Sequence, residues 1–393
     1  MEPLERAGGA AGVKIRAPSH GGRDAPKARF NPGAANSGGA GLSSAFAPSR
    51  DPHVVEPQDH VYAALDLGTN NCRLLIARPS THDIHQCGFR VVDSFSRIVR
   101  LGEGLSRTGR LGAEAVDRTL EALEICRDKM RARNVTRARL IATEACRAAE
   151  NGAEFLEQVR EVTGLALEIV DRETEAHLAA AGSASLADSA AEGVLLFDIG
   201  GGSSEVVWLG RAAKPSRGYG QSIEAALRER VRFWTSLKLG VVTLAEKFGG
   251  LEVSDLTFEA MTQHVARELE GFVDMVSSEH RCGNFHLLGT SGTVTTIAGV
   301  YLGLARYDRR RVDGLWMASH EVDHAIARLR KMSFNERAAN GCIGTGRADL
   351  VLAGCAILEA IRRAFPAERV RIADRGLREG ILMQLMSADR VWS

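Results

Sequence analysis

Two apolar runs, each interrupted at an Asp-x-Gly turn and then resumed, constrain this 393-residue chain more than any other feature. The first runs from Val61 through Asp66, Gly68, Thr69, Asn70 and Asn71 to Arg73 and Ala77; the second runs from Gly193 through Asp198, Gly200, Gly201, Gly202, Ser203 and Glu205 to Leu209. Short apolar segments bounded by Gly and polar turn residues are strands, and two in succession form a hairpin. Three consecutive glycines cost backbone entropy. They belong where the chain needs φ > 0 or where a ligand must approach the backbone without a Cβ in the way. Successive N–H groups in such a turn converge on an anion. Two hairpins of one kind imply a duplicated fold with the ligand held between the halves.

Asp198 and Glu205 flank the glycine turn and cannot themselves hold phosphate, since like charges repel. A hard divalent cation resolves the conflict, because Mg²⁺ takes one or two carboxylates and shares its remaining shell with water and phosphate. In the first hairpin Thr69, Asn70 and Asn71 are turn-competent donors, and Arg73 can clamp phosphate with its planar fork. A third turn, at Gly289, Thr290, Ser291, Gly292 and Thr293, follows another apolar strand and could cradle a further phosphate or a nucleotide. A tight hairpin with an incidental acidic flank is the plain alternative for each motif taken singly.

The two hairpins, the Gly289 turn and the segment from Ala373 to Gly380 together resemble the exopolyphosphatase and guanosine pentaphosphate phosphohydrolase family. That family belongs to the actin, sugar kinase and heat-shock ATPase superfamily. The likeness extends from about Val61 to Leu385, with the motifs in the family's order. It implies an α/β fold of two actin-like (ribonuclease H-like) domains around an interdomain cleft. The implied activity is Mg²⁺-dependent hydrolysis of the terminal phosphoanhydride of inorganic polyphosphate, with Mn²⁺ as the other candidate ion. Removal of the 5′-terminal phosphate of guanosine pentaphosphate is the alternative, followed by a superfamily kinase or a non-catalytic phosphonucleotide sensor. A homodimer is left open.

By the same resemblance Glu175 is the base that activates the attacking water, with Glu173 as runner-up; the plain reading makes both helix N-terminal charges. Asp198 and Glu205 match the family's metal-binding acids. Gly200, Gly201, Gly202 and Ser203 match its phosphate loop, and Asp66, Gly68, Thr69, Asn70 and Arg73 the opposing one. Arg100 matches a further basic position, while Glu144 and Arg147 resemble a segment lining the cleft. Gly289, Ser291 and Gly292 complete the candidate set. Many relatives carry an arginine in the segment that here runs from Leu237 to Glu246, where Lys238 is the available substitute. Many also append a helical C-terminal region. This sequence ends at Ser393, so the expectation is a short form, which argues for shorter polyphosphates or a nucleotide and against processive degradation of very long chains, while the family's breadth keeps long polyphosphate first.

Composition bounds the rest. Content of 45% hydrophobic and 25% charged residues suits globular domains with sizeable cores. Residues 1–58, rich in Gly, Ala, Pro, Ser and Arg without apolar periodicity, are expected to be a disordered tail. Domain I is expected over about 59–184 and domain II over about 185–372, with a closing helix at about 374–393 returning to domain I. Helical stripes run through Val116, Leu120, Leu123, Cys126 and Met130, and through Met261, Val265, Leu269, Phe272 and Val276. The net charge of +1 does not itself favour a polyanion, so the phosphate argument rests on local cradles. Arg306, Arg309, Arg310 and Arg311 are expected in a solvated loop. No aromatic platform suggests nucleic acid, and no apolar run suggests a membrane span. Seven scattered cysteines without CxxC read as reduced core thiols of a cytoplasmic protein. His320, Glu321 and His324 match the zincin pattern, but their segment reads as an amphipathic surface helix with Val322, Ile326 and Leu329 inward.

Overall fold

The first hairpin pairs β1 (Tyr62–Leu67) with β2 (Asn71–Pro79), and β2 then pairs with β3 (Phe89–Ile98), both antiparallel, in the computed structural model of the chain. Strands β4 (Arg137–Ala142) and β5 (Glu168–Ile169) add in parallel on the other side, giving the order β3-β2-β1-β4-β5. The second sheet holds β6 (Gly193–Ile199), β7 (Ser204–Gly210), β8 (Val231–Leu237), β9 (Phe285–Thr290), β10 (Trp316–Ala318) and β11 (Arg369–Ala373), in the order β10-β11-β9-β6-β7-β8. From β8 to β11 it repeats the first sheet strand for strand, antiparallel and parallel pairings included, and β10 is an extra edge. That repetition is the duplication implied by the two hairpins.

The structure describes residues 60–80, 88–211, 227, 229–280 and 284–392. The expected disordered tail over 1–58 and the thiols of Cys87 and Cys282 lie outside these. All described residues fall within one compact unit.

Helix α1 (Ala113–Ala132) buries its anticipated stripe, Val116, Leu120, Leu123, Cys126 and Met130, against Leu65, Leu67, Leu74 and Ile76 of the first sheet. Helix α5 (Asp255–His280) does the same with Met261, Val265, Leu269, Phe272 and Val276, packing beside α8 (Val351–Ala364) on Leu195, Phe197, Val206 and Trp208. Each such fully buried side chain contributes about 1.5–3 kcal/mol. Five cysteines, Cys72, Cys126, Cys146, Cys342 and Cys355, are free and buried.

Two helices lie between the sheets. Helix α9 (Leu377–Ala388) covers the opposite face of the first sheet, with Leu377, Ile381 and Leu382 against Tyr62, Ala64 and Leu75. Helix α3 (Arg172–Ser183) gives Leu178 to that cluster and Ala176 and Ala180 to the second sheet's Val194, Leu196 and Val207. The two helices cross closely at Gly182 and Gly380, where a Cβ would fall on the backbone carbonyls of Gly376 and Leu178. Helix α3 thus positions the next groups, since its N-terminal turn opens onto the space between the two hairpin turns.

Candidate active site

The two hairpins present their charged residues at the same register position. Asp66 lies opposite Arg73 on β1 and β2, and Asp198 lies opposite Glu205 on β6 and β7. One hairpin therefore offers an acid and a cation, the other two acids. Their turns meet: a Cβ on Gly201 would sit 2.9 Å from Thr69 Cβ, and one on Gly202 would sit 2.6 Å from Thr69 Oγ1. None of Gly200, Gly201 and Gly202 has a left-handed φ, so close approach, not backbone conformation, requires glycine here. The turn is held from behind by α4 (Val241–Phe248), whose Val241 and Val242 N–H groups donate to the carbonyls of Gly200 and Gly201. Gly240 precedes that helix and has no room for a Cβ against the same backbone. Gly200 N–H closes the turn onto Ser203 O at 2.9 Å. The N–H groups of Gly201, Gly202 and Ser203 have no acceptor among the described residues.

A cavity of about 510 Å³ lies between the hairpins. Asp66, Gly68, Thr69, Asn70, Arg73, Asp198, the turn from Gly200 to Ser203, Glu205, Glu175, Ser291 and Gly292 all line it. Burial pushes Asp198 up to about 6, with Arg73 opposing. Burial and the neighbouring Asp198 push Glu205 up to about 7, although Ser236 Oγ donates to it at 2.9 Å. Asp66 is also raised by burial.

Glu175 sits in the first turns of α3, whose N-cap Asp171 accepts from Thr174 N–H at 2.7 Å. Burial, then the charge of Glu205, holds its carboxyl well above the usual range, with Arg147 opposing. Arg147, on α2 (Glu144–Ala148), donates to Glu175 at 3.1 Å, to Glu144 at 3.0 and 2.5 Å and to the Val170 carbonyl. Arg172 donates a second set of bonds to Glu144, at 2.8 and 3.0 Å. Glu144 is thereby doubly compensated, whereas Glu175 shares one cation. The runner-up Glu173 is exposed and lies outside the cavity lining.

The same cavity is also lined by cations. Arg73, Arg347 and Arg378 line it, and among the described residues none forms an ion pair or a hydrogen bond to a carboxylate. A Cβ on Gly292, at the start of α6 (Gly292–Tyr301), would sit 3.3 Å from Arg347 Nη1 and 3.6 Å from Arg73 Nη2. Arg347 Nε is buried without a partner. Converging guanidinium groups repel one another in a desolvated site, so the arrangement calls for an anion.

Some expectations fall elsewhere. Arg100 does not reach the cavity; its Nη2 donates to Asp349 Oδ1 at 2.8 Å and to Gly346 O at 3.1 Å. Gly289 is a packing residue, since a Cβ there would meet the Phe197 ring at 2.6 Å. Lys238 lines a separate cavity. Arg309, expected in solvent, lines the active cavity and donates to Glu379 at 3.0 Å, while Arg306, Arg310 and Arg311 are exposed. Arg347 and Arg378 were not anticipated. Arg378 lies in the segment that carries the resemblance, but Arg347, between Gly346 and Ala348, has no local signature. His320 and His324 are exposed on α7 (Ser319–Lys331), where Glu321 caps the Ala318 N–H at 2.7 Å.

A metal at Asp198 and Glu205 fits the donor chemistry. Both carboxyls are raised by desolvation, Glu205 being buried and Asp198 half-buried; Asp198 has no hydrogen-bond donor among the described residues, and Asn70 Oδ1 in the same cavity is buried and unpartnered. No group of three or more His, Cys, Asp or Glu among the described residues is set to hold a metal alone, and an all-oxygen set of one or two carboxylates is what Mg²⁺ accepts.

The family model described as the Ppx/GppA phosphatase family matches residues 78–389. The chain belongs to the Ppx/GppA phosphatase family. Exopolyphosphatase 2 of Mycobacterium tuberculosis is 28% identical over 340 residues, covering 82% of this chain and 98% of the relative. The guanosine-5′-triphosphate,3′-diphosphate pyrophosphatase of Pseudoalteromonas translucida is 26% identical, but the match covers only 60% of its length. Among solved structures, the Aquifex aeolicus member of the Ppx/GppA family superposes with a TM-score of 0.61 at 26% identity, over 84% of this chain and 99% of that one. The exopolyphosphatase structure from Cytophaga hutchinsonii, 20% identical, gives a TM-score of 0.72 and supports the fold. The fold is accordingly the actin-like two-domain α/β architecture of this family, and its members are phosphatases.

Proposed function

We propose that this Ppx/GppA family member is an exopolyphosphatase, hydrolysing the terminal phosphoanhydride of inorganic polyphosphate with release of phosphate. The observation that carries the reading is one cavity lined both by carboxylates and by three arginines that, among the described residues, form no ion pair with a carboxylate. A polyanion bound with a metal ion has uses for both. Arg73, Arg347 and Arg378 would hold the penultimate phosphates, which places the terminal phosphorus among the Gly201, Gly202 and Ser203 N–H groups. Such groups stabilise charge on the equatorial oxygens in the transition state. Glu175 accepts a proton from water as the water oxygen bonds to phosphorus and the bridging P–O bond breaks; the proton then returns to the leaving phosphate. Arg147 fixes the Glu175 carboxylate through its 3.1 Å bond. Asp198 and Glu205 would hold Mg²⁺, which supplies charge neutralisation at the phosphates.

The match spans nearly all of exopolyphosphatase 2 but little more than half of the guanosine pentaphosphate enzyme, which favours polyphosphate. The test is phosphate release with Mg²⁺ from polyphosphate and from guanosine pentaphosphate, for wild type and Glu175→Gln. Release from polyphosphate should fall by about 10²–10⁴-fold in the variant with its melting temperature unchanged. Preferential release from guanosine pentaphosphate would move the substrate to the nucleotide. A fully active variant would remove Glu175 from its role, and no release from either substrate would sink the hydrolase reading.

A further inference from the structure

A second cavity, of about 560 Å³, backs onto the first. The two share Thr69, Glu144 and Gly202, the place where the turn of the first hairpin meets the glycine turn of the second. These three residues pack tightly there: a Cβ on Gly202 would lie 2.6 Å from Thr69 Oγ1 and 3.1 Å from Glu144 Cγ. Beyond this partition the walls carry Lys238, Lys247, Thr243 and His264. Among the described residues neither lysine has a carboxylate partner. Lys238 makes no hydrogen bond or ion pair with any of them, and Lys247 Nζ has His264 Nε2 at 3.2 Å and the Phe248 ring at 5.8 Å. The acid nearest them, Glu246, is committed to Gly104 N–H at 2.7 Å and to Ser106 Oγ. Glu144, in the partition, is compensated by Arg147 and Arg172. A path from Glu175 in the first cavity to the lysines therefore crosses no uncompensated carboxylate.

We infer that the second cavity is a binding and exit site for inorganic phosphate, through which the product leaves while the shortened chain stays on Arg73, Arg347 and Arg378. The inference rests on the hydrolase reading above. Its logic is steric and electrostatic. A polyphosphate held on Arg73, Arg347 and Arg378 would occupy the first cavity, so its terminal phosphate, once cleaved, would have the remaining chain on one side. The freed anion lies beside Glu175, whose carboxylate repels it, and the nearest uncommitted cations other than those arginines are Lys238 and Lys247. Thr69, buried where the two cavities meet, is the side chain whose rotation would open the partition. A site with two mouths can release one phosphate per cycle without releasing the chain.

The test uses inorganic phosphate in two ways, on wild type and on the exposed-residue double variant Lys238→Glu, Lys247→Glu. Phosphate binding to the resting protein is read by calorimetry, and phosphate inhibition of polyphosphate hydrolysis is read kinetically. Phosphate in the second cavity coexists with substrate in the first, so inhibition of the wild type should be non-competitive. In the double variant phosphate affinity should fall about tenfold or more, as expected for losing charged hydrogen-bond donors. Single-turnover cleavage should stay near the wild-type rate while steady-state turnover drops and a burst of one phosphate per site appears. Purely competitive inhibition with the same constant in both proteins would overturn the inference. So would an equal fall in single-turnover cleavage, which would put the lysines on the substrate. Both outcomes require phosphate release by the wild type, so they are distinct from failure of the hydrolase reading, in which no phosphate is released.

Discussion

Asp198 and Glu205 show how a single pair of residues couples the site to pH. In the metal-free protein burial lifts them to about 6 and about 7, above their ordinary values near 4. A carboxyl whose folded pKa is raised binds a proton that the unfolded chain has already lost. Its contribution to stability is present below about pH 4 and is lost as pH rises toward 7. A divalent cation takes the place of those protons, and its binding releases them. Magnesium should therefore raise the melting temperature more at pH 8 than at pH 5.5, with chelator-treated protein as the reference at each pH. An equal rise at both would mean that the ion binds elsewhere. Identical chemistry can also mislead at this scale. Glu173 and Glu175 are two residues apart on one helix start, and only the second faces the cavity, because a helix turns about 100° per residue.

At the scale of elements, glycines of equal appearance in the sequence have opposite meanings. Gly240 abuts the backbone of Gly200 and Gly201 at the point where α4 grips the glycine turn, whereas Gly271, in α5, has nothing within 4 Å of where a Cβ would stand. Gly240→Ala should cost about 1–3 kcal/mol by overpacking and lower activity by displacing the turn. Gly271→Ala should instead stabilise by about 0.5–1 kcal/mol, since alanine loses less entropy in a helix interior. Urea unfolding of the two variants, with phosphate release measured alongside, checks both signs. Activity surviving intact in Gly240→Ala would show that α4 does not fix the turn. The helical stripes of α1 and α5 were legible beforehand because a 3.6-residue period needs no information from outside the helix. The crossing of α3 over α9 at Gly182 and Gly380 was not, because neither glycine has a partner within its own helix to announce it.

For the molecule as a whole, the segment after β3 joins the two sheet-bearing halves twice. Arg100 donates to Asp349 and Gly346, and Gly104 N–H and Ser106 Oγ donate to the Glu246 carboxylate. The Arg100 and Asp349 side chains are 30% and 21% exposed, so the pair contributes at most about 1 kcal/mol to stability. Because the pair ties the two halves together, the expected effect of removing it is on substrate binding in the cleft. Arg100→Ala should raise KM for polyphosphate several-fold with kcat changed less, measured by steady-state kinetics with unfolding as the control. A fall in kcat at constant KM would put Arg100 on the transition state instead.

The sequence by itself determined the duplicated hairpins, the acids and glycines at their turns, and the buried stripes. Each is encoded within a few residues, by alternation, by helical period or by turn chemistry, and the order of the motifs supplied the family. Only the tertiary structure decided which arginines face the cavity. Among 50 Lys and Arg, nothing local separates Arg347, which lines the cavity, from Arg100, which ties the halves together. A guanidinium's role depends on which carboxylates or ligands lie within a few ångströms of it, and those neighbours come from strands and loops far away in the chain.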